Sequence, residues 1–103
     1  MALDFKIGNI KNLDHKITLG IQTHREIMAV AAKLKLPLIQ SFKNYYGSII
    51  TISPQEFEHL KNEIANLKSA MPDNQYAQDF FKKILTTIHT ATQSKSPIIV
   101  HPD

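Results

Sequence analysis

The chain has no cysteine, which excludes disulfide bonds, thiolate metal sites and a cysteine nucleophile. Its three glycines are too few for a glycine-rich phosphate loop, and a single arginine offers little for bidentate recognition of phosphate or guanine. No apolar run approaches the length of a membrane span, and the first six residues lack the apolar stretch of a signal peptide. We therefore expect a cytoplasmic protein with no membrane partner.

What is present is typical of a globular domain. A chain of 103 residues with 43% hydrophobic residues can build one core, so we expect a single domain over residues 1–103. The formal charge is +3, but the twelve cationic residues are scattered along the chain. Nucleic-acid-binding domains usually concentrate their cations on one surface. Nucleic acid is therefore not favoured as a partner.

Side-chain alternation and β-branched runs predict a short sheet. Residues 15–21 alternate between large aliphatic and polar or small residues, which is typical of a half-buried strand. The β-branched run in residues 97–101 predicts another strand, and we expect it to pair with residues 15–21. A strand around Phe5 would complete an N-terminal hairpin. Residues 48–52 fit either a strand or an extended connection.

The first half of the chain also carries helix signals. Thr23 and Glu26 have the spacing of a capping box, and apolar residues then recur at helical spacing, which predicts a helix over residues 24–36. Pro37 is expected to stop this helix, because the residue before a proline is disfavoured in the α region. Residues 38–43 fit a short helix or a loop, and their apolar spacing favours the helix.

The clearest helix start lies in the middle of the chain. Ser53 suits the cap, Pro54 suits the first helical position and Glu56 closes a capping box, so a helix is predicted over residues 54–68. A last helix, predicted over residues 74–93, has a wide apolar stripe that we expect to form the core: Tyr76, Ala77, Phe80, Phe81, Ile84, Leu85 and Ile88.

These elements together predict an α+β fold. We expect a small single domain with three to four helices packed on a short sheet that includes residues 15–21 and 97–101.

No constellation of catalytic or metal-ligating residues stands out. Glu56 and His59 have a spacing that di-metal helical bundles use, but those sites need a second copy of the motif and none is present. His59 and Glu63 lie four residues apart and are expected to pair on a helix surface. For all five histidines we expect surface or capping roles. The sequence thus predicts no catalytic residue, no metal site and no cofactor.

A pair of tyrosines, Tyr45 and Tyr46, allows two interpretations. Their rings either finish the core and cover a helix end, or form an exposed aromatic pair of the kind found at protein interfaces. Base stacking on Tyr45 would need a basic groove that the scattered cations do not predict. On the interface hypothesis, the predicted partner-binding residues are Lys43, Asn44, Tyr45, Tyr46, Glu56, Glu58 and His59.

Several features follow one another in a recognisable order: a strand from Ile17, a helix broken at Leu36-Pro37-Leu38, the Tyr45-Tyr46 pair, the Ser53-x-x-Glu56 helix start and a late helix before a short strand. In this outline the chain resembles small bacterial immunity proteins of contact-dependent growth inhibition and other polymorphic toxin systems. The resemblance implies a protein without enzymatic activity. Such a protein binds the C-terminal domain of a cognate toxin stoichiometrically and neutralises it.

Two other functions stay open beside this one. A nucleic-acid-associated regulatory module predicts binding that weakens steeply with salt. A small enzyme of unknown reaction would need a polar pocket, for which His59, Glu63 and Tyr46 are the candidate residues.

Overall fold

The computed structural model describes residues 2–8, 17–42 and 49–102. Within these ranges the fold is α+β, as predicted, with a four-stranded antiparallel sheet and four α-helices. The elements are β1 (Ala2–Ile7), β2 (Ile17–Gly20), α1 (Ile21–Leu34), α2 (Pro37–Gln40), β3 (Ile50–Ile52), a 3₁₀ turn (Pro54–Glu56), α3 (Phe57–Ala70), α4 (Gln75–Ser94) and β4 (Ile98–Pro102).

The strand order is β2-β1-β4-β3, which confirms the antiparallel pairing of the first two strands and corrects the predicted place of the last. We expected β4 to pair with residues 15–21, but it lies between β1 and β3. The reason is that β1 pairs along both of its edges. It takes β2 on one side, and its other edge receives β4.

The predicted strands differ from the observed ones mainly at their ends. The prediction of a strand over residues 15–21 is confirmed for Ile17–Gly20, whereas Ile21 already belongs to α1 and residues 15 and 16 lie outside the described ranges. The prediction over residues 97–101 is confirmed within one residue by Ile98–Pro102. Of the two alternatives for residues 48–52, the strand is correct for Ile50–Ile52.

The core lies between one face of the sheet and the helices. Alternate residues of β1 are buried on this face, and Phe5 lies at its centre with only 1% of its surface exposed. The ring of Phe5 packs edge-on against Phe42 at 5.5 Å and tilted against Phe80 at 5.2 Å, measured between ring centroids. These contacts join the first strand to the segment after α2 and to α4, so distant parts of the chain share one core.

Helix α1 begins earlier than predicted because the chain passes directly from β2 into the helix. Gly20 is the N-cap, and Thr23 therefore lies inside the first turn, so the predicted Thr23–Glu26 capping box is wrong. The helix ends at Leu34 because Lys35 adopts a left-handed conformation (φ 56°), and the N–H of Leu36 donates to the carbonyl of Ala31. Pro37, the expected stop, instead begins α2.

The two later helices match their predictions closely. The capping box of Ser53 and Glu56 is confirmed, although its first turn is a 3₁₀ turn that continues into α3. Helix α4 begins after Asn74, whose side chain accepts a hydrogen bond from the N–H of Ala77 at 3.0 Å. In the described part of the chain, no helix combines the length and the hydrophobicity that a membrane crossing needs.

Candidate functional site

The predicted partner-binding residues fall into two groups. Lys43, Asn44, Tyr45 and Tyr46 lie outside the described residues, so their predicted role stays a prediction. The remaining three, Glu56, Glu58 and His59, lie at the start of α3.

At the start of α3, each predicted contact residue has a partner within the chain. Oε1 of Glu56 accepts hydrogen bonds from the backbone N–H and the hydroxyl of Ser53, both at 3.1 Å. The carboxylate of Glu58 lies 3.4 Å from the ammonium group of Lys61 on the surface. Glu58 exposes 78% of its side chain and therefore remains accessible to a partner protein.

Glu63 is buried rather than lying on the surface, which corrects the predicted surface pair with His59. Its side chain is 4% exposed, and its two oxygens accept hydrogen bonds from the backbone N–H groups of Leu38 at 3.1 Å and Ile39 at 2.9 Å. His59 Nε2 lies 2.8 Å from Oε2 of Glu63. Because Leu36, the N-cap of α2, makes no side-chain cap, Glu63 supplies the acceptor that this helix start lacks.

His24 holds the other end of the same segment. The residue is buried, with 4% of its surface exposed, and its Nε2 lies 2.7 Å from the carbonyl oxygen of Phe42. Of the expected surface or capping role, the surface alternative is therefore wrong for His24, whereas His59 and His89 are exposed. Among the described residues, no group of three or more histidine and carboxylate side chains is placed to hold a metal ion.

Tyr76 is the most exposed large side chain with apolar character that the structure describes. We predicted it to join the core stripe of α4, but 81% of its surface is exposed. The helical period explains this correction. Tyr76 and Lys83 are seven residues apart, close to two turns, so they share the exposed side of α4. The buried stripe runs through Ala77, Phe81 and Ile84 instead.

Two concavities adjoin Tyr76. The larger, which we call the turn groove, has a volume of about 1000 Å³ and is lined by residues 70–76 together with Gln22, Thr23 and Glu26 of α1. Its lining contains two carboxylates, those of Glu26 and Asp73, and none of the lysines or the arginine of the described chain. The groove is thus locally acidic on a chain with a net charge of +3.

The smaller concavity, which we call the edge groove, lies between β2 and α4. It has a volume of about 210 Å³ and is lined by all four residues of β2 and by Thr23, Tyr76, Asp79, Phe80 and Lys83. Asp79 and Lys83 form an exposed ion pair at 2.9 Å. Thr23 and Tyr76 line both grooves, so the two concavities form one continuous surface, called the Tyr76 face below.

Hydrogen bonds hold the turn between α3 and α4 in place. The side-chain amide of Gln78 donates to the carbonyl oxygens of Met71 at 2.8 Å and Lys68 at 3.1 Å. Asn74 caps α4 and also donates through its amide to Oε2 of Glu26 at 3.3 Å. These hydrogen bonds hold the helix start that carries Tyr76 against both α1 and α3. The backbone at Tyr76 therefore loses little conformational entropy on binding.

Hydrophobic periodicity alone predicted Tyr76 to be buried, although two other sequence features indicated an exposed side chain. A tyrosine two positions after a helix cap lies on the first turn, where fewer helical neighbours cover it. Its phase also coincides with Lys83 and lies near Asp79, both charged. Because Tyr76 lies on the same side of α4 as these charged residues, the helical pattern places it at the edge of the apolar stripe or outside it.

No protein-family model, curated protein or solved structure matches the chain.

Proposed function

We propose that this chain is a protein-binding inhibitor, an immunity protein that neutralises a cognate bacterial toxin domain by stoichiometric binding rather than by catalysis. The observation that carries the proposal is Tyr76, which is 81% exposed on a fixed helix start between two grooves. Tyrosine is enriched among the residues that dominate binding energy at protein interfaces, because it buries much area with few rotatable bonds.

The charge of the Tyr76 face supports a cationic partner. Glu26 and Asp73 line the turn groove, whereas Asp79 in the adjoining edge groove is paired with Lys83. Complementary charge across an interface accelerates association and excludes wrong partners. A toxin domain that binds nucleic acid would present the required cations.

The start of α3 is a second contact region in this proposal. Glu58 and His59 expose 78% and 59% of their side chains, and they follow the predicted contact residues 43–46 along the chain. Neither Glu58 nor His59 lines either groove of the Tyr76 face. The two regions therefore make separate predictions about which substitutions weaken binding.

The test uses the toxin gene expected immediately upstream. Its C-terminal domain is expressed from an inducible promoter, with and without this chain, and the purified proteins are mixed in a calorimeter. We expect the chain to relieve the growth arrest and to bind with one-to-one stoichiometry. Growth arrest that persists at equal expression, with no heat of binding, contradicts the proposal.

Substitutions then distinguish the two contact regions. Tyr76→Ser tests the Tyr76 face, and Tyr45→Ala, Tyr46→Ala and Glu58→Ala combined test the α3 region. We expect Tyr76→Ser to weaken binding by at least about 2 kcal/mol, as the loss of a dominant contact does. Unchanged affinity in the combined variant would remove the α3 region from the interface.

A further inference from the structure

Strand β2 is one edge of the sheet that the described residues form. The direction of its backbone groups follows from a hydrogen bond at the far end of β1. There, the N–H of Gly8 donates to the carbonyl of Pro97 at 2.8 Å, one position beyond the register pair Ile7–Ile98. In an antiparallel ladder, residue pairs that exchange backbone hydrogen bonds alternate with residue pairs that do not. Because Gly8 bonds to the β4 side, the residues two and four positions before it, Lys6 and Asp4, also direct their backbone groups towards β4.

The intervening residues of β1 then face β2. Leu3 pairs with Leu19 and Phe5 with Ile17, so the backbone groups of Leu19 and Ile17 point inward to β1. Those of Thr18 and Gly20 consequently point away from the sheet. As the N-cap of α1, Gly20 uses its carbonyl for the first helical bond. The outward groups of the edge are thus the N–H and C=O of Thr18 and the N–H of Gly20.

Apart from its length of only four residues, β2 carries few of the features that usually protect a sheet edge from pairing with another chain. The four residues of β2 include no charged residue and no proline, and the register with β1 runs without a bulge. The strand opens into the edge groove, whose opposite wall is formed by Tyr76, Asp79 and Lys83 of α4. A strand added to β2 would place alternate side chains against this wall.

We propose that an extended, lysine- or arginine-bearing segment of the partner adds to the sheet as a strand beside β2. This inference rests on the proposed function and names the part of the partner that the Tyr76 face recognises. Main-chain hydrogen bonds to Thr18 and Gly20 give affinity, while the groove wall selects the alternate side chains. Leaving the edge groove past Thr23 and Tyr76, the segment enters the turn groove, where Glu26 and Asp73 meet its cations.

Charge favours such a partner over a second copy of this chain. A symmetric pair joined at β2 would add Ile17–Gly20 of the second copy, which carries no lysine or arginine to meet the carboxylates of the turn groove. The edge also offers only the outward groups of Thr18 and Gly20, so affinity depends on the adjoining grooves as well.

Gly20 provides a matched pair of test variants. Its φ of −66° already suits proline, and a Cβ added there meets nothing within 4 Å. Gly20→Pro removes the outward N–H, whereas Gly20→Ala retains it. Both substitutions are compatible with the backbone, and circular dichroism melting reports whether each variant is folded.

The probe is a phage-displayed library of random linear dodecapeptides, selected on the immobilised full chain. We expect basic extended peptides whose dissociation constant is unchanged within about twofold by Gly20→Ala and raised about tenfold by Gly20→Pro, since one lost hydrogen bond and the proline ring oppose pairing. In the wild type, the bound peptide should slow amide hydrogen exchange at Thr18 and Gly20. This exchange measurement remains decisive if the proline variant does not fold.

Each other outcome contradicts the inference. It is overturned if no peptide is selected, if selected peptides leave exchange at Thr18 and Gly20 unchanged, or if these amides become protected when the chain alone is concentrated. Exchange in the complex with the toxin domain separates the two proposals. If the chain neutralises the toxin without protection of the β2 amides, the proposed function stands and the added strand is contradicted. If peptides pair with β2 but the toxin domain does not bind, the pairing at β2 stands and the proposed function is contradicted.

Discussion

On the α2–α3 side of the molecule, buried polar side chains bond to the chain's own backbone, whereas on the Tyr76 face the carboxylates of Glu26 and Asp73 line an open groove. Glu63 and His24 hold the two ends of the segment around α2, and Glu56 caps the start of α3. On the other face, Tyr76 is exposed and the residues of β2 line the edge groove. A residue's type therefore does not separate a structural role from a binding role, whereas its contacts do.

The largest effect on stability is expected at Glu63. Glu63→Ala would leave the buried N–H of Ile39 and the half-buried N–H of Leu38 without an acceptor, and we expect a loss of about 3 kcal/mol in the free energy of unfolding. Urea denaturation measures this loss. Glu58→Ala, a change at an exposed ion pair on the same helix, is the matched control and should cost at most about 1 kcal/mol. Equal losses in the two variants would contradict the structural role of Glu63.

A smaller effect is expected at the α3 capping box. Glu56→Ala removes the acceptor that bonds to Ser53, and the expected loss is about 1 kcal/mol in the same denaturation experiment. Gln55→Ala, at the exposed neighbouring position, provides the control. If the two variants are equally stable, the capping box contributes nothing measurable.

Local patterns predicted the elements of this fold well. The Ser53–Glu56 box and the Asn74 cap act within one helical turn, so neighbouring residues suffice to recognise them. The α1 start was mistaken because the chain passes directly from β2 into the helix at Gly20, and the nearby Thr23–Glu26 spacing imitated a capping box. A sequence motif of this kind depends on backbone geometry that the motif alone does not determine.

The candidate site was predictable only in part, because its residues come from distant parts of the chain. The bonds from Leu38 and Ile39 to Glu63 cross 25 and 24 positions, and no local spacing indicates them. A missing cap at Leu36 was the available hint that a distant acceptor is needed. The Tyr76 face likewise joins β2, α1 and α4, so it exists only once these elements have packed.

The smallest effect on stability, and the most direct test of the account, is expected at Tyr76. Tyr76→Ser should change the free energy of unfolding by no more than about 0.5 kcal/mol, because the side chain is 81% exposed and does not pack in the core. The same variant, titrated with the upstream toxin domain, should bind at least about thirtyfold more weakly than the wild type. A variant that unfolds more easily yet binds the toxin domain with unchanged affinity would show that Tyr76 serves the fold, and would contradict the account.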